Sequence, residues 1–166
     1  MTGTRHEGSG DSSCNGSGMA AFPSIAKRAC FLALAAAAGC SDPDPVADPI
    51  HRQFDQSGKR FVDLGTAVPG PWQRVCIIGP YMKNAQTHAT LGFAWDSEKV
   101  SGIAMDDSIV LLVFIDDGDR VTSFTNYRRG NGDFSNLRGQ CFARPAARFE
   151  QVDRPSQGWP GLFPAK

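Results

Sequence analysis

The chain has 166 residues, with lysine plus arginine and aspartate plus glutamate at 17 each, so its formal charge cancels. No global field of either sign argues for nucleic acid or for an acidic partner. Its 18 glycines and 11 prolines concentrate toward the two ends. The middle of about a hundred residues can bury one modest core, which describes a single domain between low-complexity flanks.

Residues 1–18 are rich in Gly, Ser and Thr and show no hydrophobic period, so they read as disordered. A different pattern begins at Met19. Lys27 and Arg28 form a positive cluster, and Ala29 to Ala38 (ACFLALAAAA) is an apolar run too short to span a bilayer comfortably. Gly39-Cys40 closes the run, and the composition then turns polar and proline-rich at once.

That order resembles a bacterial lipoprotein signal peptide over Met19 to Cys40, with Ala37-Ala38-Gly39-Cys40 as the lipobox. It departs from the usual pattern at Ala37, where leucine is commonest. The resemblance implies that residues 19–39 are a signal and that Met19 is the start, residues 1–18 being an over-extended reading. It also implies that Cys40 becomes a lipidated N-terminus. An ordinary secretory signal cut near Ala38 is the alternative. A thiolate attacks a lipid donor more readily than a hydroxyl, and each buried acyl CH₂ adds about 0.8 kcal/mol to anchoring. Ser41, where aspartate would resemble an inner-membrane retention signal, favours the outer membrane facing the periplasm.

Residues 40–58 carry three Asp-Pro steps within SDPDPVADPI. Proline fixes φ and biases its predecessor to extended structure, so the segment is expected to be a stiff tether, holding the domain roughly 50 Å from the lipid. His51 has no partner pattern and receives no role.

The globular domain is expected over residues 59–153. Arg60–Leu64 reads as a short strand, Val68–Pro71 as a turn, and Trp72–Tyr81 as a strand stopped by Gly79-Pro80. Asn84 is a candidate cap for a helix over 85–91, with Ala89 and Leu91 inward and Gly92 as its stop. Phe93 and Trp95 return the chain to the core. Val100, Ile103 and Met105 are expected inward across an ambiguous stretch. Ile109–Ile115 is an unbroken run of β-branched, aromatic and leucine side chains, Asp116–Asp119 a turn with Gly118 free to take φ > 0, and Val121–Tyr127 a half-exposed partner strand. Residues 128–138 read as a polar loop and 140–144 as a last strand. Residues 154–166 form a Pro/Gly-rich tail, with Trp159 and Phe163 as anchors packed back onto the domain. Adjacent strands joined by short turns predict an α+β fold, a small antiparallel sheet with one short helix on a face.

Five cysteines are present. If the lipoprotein resemblance holds, Cys14 and Cys30 are removed and Cys40 is lipidated, which leaves Cys76 and Cys141 in an oxidising compartment. The two are expected to form a disulfide, the alternative being two buried free thiols.

The chemistry-bearing patterns are few. His88 is the one histidine of the domain, and no Ser/His/Asp set, H-E-x-x-H or C-x-x-C motif accompanies it. Gly130-Asn131-Gly132 is a turn rather than a dinucleotide loop. Asp116, Asp117 and Asp119 lack the spacing and distal glutamate of a calcium loop, and Asp106-Asp107 reads as a loop pair before a strand. No cofactor or metal signature is found. From Arg120 to Arg154 seven arginines face Asp133, Glu150 and Asp153. Arg128, Arg129 and Arg138 flank one loop, and arginine's planar fork suits phosphate or carboxylate, so these three are candidates for binding lipid headgroups or cell-wall carboxylates; a solvated strand end paired to local acids is the alternative. The sequence therefore describes a lipid-anchored envelope protein that binds an envelope partner and is not an enzyme. The rival readings are a small envelope hydrolase and an inhibitor or assembly factor acting on another envelope protein.

Overall fold

A computed structural model describes residues 42–166. Residues 1–41, with the signal-like segment and Cys40, lie outside the described residues. The fold is α+β, built on two antiparallel sheets. Strands β2 (Arg74–Ile78), β3 (Ile109–Ile115), β4 (Val121–Arg128) and β5 (Gln140–Ala143) form one sheet in the order β4-β3-β2-β5. Strands β1 (Phe61–Asp63), β6 (Arg148–Val152) and β7 (Gly161–Pro164) form the other, in the order β1-β6-β7.

The unbroken apolar run of β3 has a direct cause in packing. All seven of its residues are buried, because both faces of the sheet are covered. Val75, Ile77, Val110, Leu112 and Phe114 join Val62, Phe149 and Leu162 of the three-stranded sheet in the larger core. Cys76, Ile78, Leu111, Val113 and Ile115 point the other way, into a smaller core with Leu91 and Ile103. Helix α3 (Asn84–Leu91) contributes Thr87 and Leu91 as its buried residues, and Gly92 ends it at φ 85°. Ala89, Val100 and Met105, all expected inward, are exposed, and Ile103 is the one apolar residue of the 97–108 stretch to reach the core, while Ser97 is buried against Thr87. That stretch is a single helical turn, α4 (Ser97–Val100), followed by tight turns, so its side chains do not keep one period.

The 40–58 tether is corrected. Ala47–Gln56 is helix α1, and Val46, Ile50 and Phe54 are buried in the larger core; the single turn α2 (Leu64–Ala67) follows β1. Two of the three Asp-Pro steps that suggested a spacer, Asp44-Pro45 and Asp48-Pro49, are part of the helix start. Both the Val46 and Ala47 amides donate to Asp44 Oδ1, at 2.8 and 2.9 Å, and proline follows the aspartate where a helix needs no amide hydrogen. The Thr125 hydroxyl donates to Asp44 Oδ2 at 2.5 Å and fastens this start to β4.

The 154–166 tail is corrected in the same way. β7 pairs with β6 from Phe149↔Pro164 to Val152↔Gly161 and buries Leu162. Phe163 is half-buried, and Trp159 is 62% exposed rather than packed down. The β3–β4 turn takes its left-handed residue at Asp119 (φ 57°), not at Gly118. Aspartate tolerates that conformation better than most side chains, and here its carboxylate also binds Arg74 at 2.7 Å.

Candidate functional site

A groove of about 480 Å³ opens where four connections meet. It is lined by Pro80 and Tyr81 from the turn after β2, Asp107 before β3, Arg129 after β4, Ser135, Asn136 and Arg138, and Trp159 before β7. A larger hollow, about 730 Å³, lies beside Lys59, Arg60, Gln151 and Asp153. It holds no exposed aromatic ring, whereas the smaller groove holds two.

Both rings stand out on fixed backbone. Tyr81 is 59% exposed, yet its backbone sits at φ 62° and its amide donates to the Ile103 carbonyl at 2.8 Å. A bulky side chain in the left-handed region costs about 1 kcal/mol or more, and such conformations gather at functional sites. Trp159 is clamped from both sides by one amide. Asn136 Nδ2 donates to its carbonyl at 2.8 Å, and its own N–H donates to Asn136 Oδ1 at 3.3 Å. Gly158 precedes it at φ 80°, with no room for a Cβ against Asn136.

One opposed pair fixes the charges on one side of the groove. Arg129 meets Asp133 through a forked contact, Nη2 to Oδ2 at 2.8 Å and Nε to both carboxylate oxygens, and its Nη1 donates to the Asp107 carbonyl at 2.9 Å. Burial alone would raise the Asp133 carboxyl, but hydrogen bonds from Arg129 and Ser135 outweigh it and hold it below the usual carboxylate range. The Asp133 hydrogen bond, opposed by burial and aided by the charges of Asp133 and Asp107, raises the Arg129 guanidinium in turn. Arg138 is different. Its stem lies on Gly79, where a Cβ would come within 2.6 Å of its own, and its guanidinium has no hydrogen-bond or ion-pair partner among the described residues. The Asp107 carboxylate is also exposed and without a hydrogen-bond donor among the described residues.

No protein-family model, curated protein or solved structure matches this chain.

The residues singled out in the sequence therefore separate. Cys76 and Cys141 are directly opposite each other on β2 and β5 and are disulfide-bonded, with Cα atoms 4.0 Å apart. Cys40 lies outside the described residues. Of the three arginines, Arg129 and Arg138 line the groove, while Arg128 is opposite Ile109 on the β3–β4 ladder and sits near Asp106. Most of the surrounding basic run has structural partners: Arg120 binds Asp116, Arg148 binds Asp63, and Arg144 donates to the Gly65 and Gly70 carbonyls beneath the Trp72 ring. His88 Nε2 bonds the Trp95 carbonyl at 3.0 Å. Asp116 accepts from the Gly118 and Arg120 amides and from Arg120 Nε, which makes it the brace of the β3–β4 turn. Tyr81, Asp107 and Asn136 were missed as groove residues. The one available signal was a tyrosine directly after Gly79-Pro80, where a turn ordinarily places small or polar residues.

Proposed function

We propose that this chain is a lipid-anchored binding module of the cell envelope, and that the groove between Tyr81 and Trp159 is where it holds its partner. The signal-like segment ending at Cys40 supports the location. The observation that carries the binding reading is the pair of exposed rings held on braced backbone beside an uncommitted Arg138. What sets these two rings apart from other exposed apolar side chains is that they line one groove, and polar side chains beside a few aromatic rings are the usual make-up of a specific recognition site.

Two measurements test it. The intact mass of the protein from its own host's membranes, beside Cys40→Ala, should match a chain beginning at an acylated Cys40 and lose that match in the variant. An unlipidated chain retaining Met1 would overturn the location. Residues 42–166 should co-sediment with isolated envelope material, and Tyr81→Ala with Trp159→Ala should abolish this while leaving the circular dichroism unchanged. Undiminished sedimentation of that double variant would overturn the site.

A further inference from the structure

We infer that the ligand of this groove is an uncharged glycan, a chain of pyranose rings lying between Tyr81 and Trp159 with its hydroxyls on Arg138 and Asp107. The inference rests on the groove being the recognition site and adds the class of ligand. Three features of the groove support it.

The first is the balance of charge. Arg129 and Arg138 are offset by Asp133, which Arg129 binds, and by Asp107, which shares the groove wall. A phosphate or carboxylate would gain from Arg138 and lose to Asp107, so the groove has no net preference for an anion. The second is the kind of polar group left unpaired. Arg138 offers only donors and the Asp107 carboxylate only acceptors. A hydroxyl donates and accepts at once, and a row of ring hydroxyls satisfies both side chains together. A run of prolines, the other ligand suited to aromatic rings, offers backbone carbonyl acceptors and no amide donor, and would leave Asp107 unmatched. The third is shape. A pyranose ring has a flat face of C–H bonds, and the electron-rich faces of tyrosine and tryptophan complement it. Rings held by fixed backbone lose little freedom when such a ligand arrives, which matters for a ligand whose hydroxyls must leave water to bind. The Asn136 clamp and the left-handed turn at Tyr81 supply that rigidity.

The experiment uses the folded body, residues 42–166, and envelope material from the same host, in four portions. One is untreated, one oxidised with periodate and quenched, one digested with protease, and one mixed with inorganic phosphate. Periodate cleaves carbon–carbon bonds between neighbouring hydroxyls and so destroys most glycans. Sedimentation of the domain should fall about tenfold or more after periodate and survive protease and phosphate. Trp159→Ala, Tyr81→Asn and Arg138→Gln should each weaken binding to untreated material by about tenfold, in keeping with a small number of dominant contacts. Loss after protease alone would replace the glycan by a protein partner and leave the groove as the site. Displacement by phosphate with no effect of periodate would assign an anion. Sedimentation that ignores all three variants would remove the site itself, and the glycan with it.

Discussion

Asp133 accepts hydrogen bonds from Arg129 and from both the amide and hydroxyl of Ser135, while its carbonyl receives the Leu162 amide at 2.8 Å. One residue thus ties the wall of the groove, through its side chain, to β7, through its backbone. A carboxyl whose native pKa is lowered contributes its stability in full above the unfolded value, roughly 4, and loses it as pH falls through the native value. Asp133→Asn should therefore cost about 1–3 kcal/mol at pH 7. In urea titrations the gap between variant and native chain should narrow below pH 4, and a gap constant from pH 7 to pH 2 would mean that the carboxylate charge is not what matters. Tyr81 supports the opposite expectation. Tyr81→Asn relieves a left-handed tyrosine, so the folded chain should gain up to about 1 kcal/mol in the same titration while its binding falls; a loss of stability would show that the ring has packing which its exposure hides. Such residues are the least legible in sequence. Arg129 and Arg138 could be picked out by their spacing, but nothing in the letters says that Asp133 takes one of them and leaves the other.

At the scale of elements, the legible parts are those with one dominant cause. The seven-residue apolar run of β3, its polar turn and the alternating β4 follow from burial of two faces, one turn and one edge. Helix α3 was readable from its stop at Gly92, but its cap is Lys83, and Asn84, expected to be the cap, is its first residue and accepts from the Glu98 amide instead. Helix α1 was hidden because two rules compete at Asp-Pro: it begins extended spacers and it also begins helices. The spacing of Val46, Ile50 and Phe54, four apart on one face, was the signal that decides between them. Strand β7 was hidden because four residues among prolines and glycines carry too short a period to read, and its partner β6 lies behind a loop. The helix makes a strong prediction. Ile50→Ala should cost about 2–5 kcal/mol, as for other large-to-small changes in a core. A chain beginning at Lys59, where the sequence first placed the domain, should lose its cooperative urea transition, whereas one beginning at Asp42 should keep it. A cooperative transition in the shorter chain would show that α1 is dispensable.

For the molecule as a whole, the Cys76–Cys141 bond joins residues 65 apart in sequence across the β2–β5 pair. β5 is a four-residue edge strand, mostly exposed, so its ladder alone is a weak attachment. Closing a loop of that length constrains the unfolded chain by about 4 kcal/mol in the chain-entropy account. Replacing both cysteines by alanine should lower the urea stability by about 2–5 kcal/mol, and reductant should lower the native chain by a similar amount but leave the double variant unmoved. A double variant as stable as the native chain would show that the sheets need no staple. The pairing was legible only through the export argument, since spacing by itself would not have matched these two cysteines. The helix start at Asp44 has a consequence for the proposed anchor. Were Cys40 acylated as proposed, only four backbone steps would lie between the lipid and the first residue bound to the fold, roughly 14 Å at full stretch. A body moored that closely would skim the leaflet instead of ranging through the space beyond it. Its search would be over an area rather than a volume, and whatever it holds would have to come down to the surface to be found.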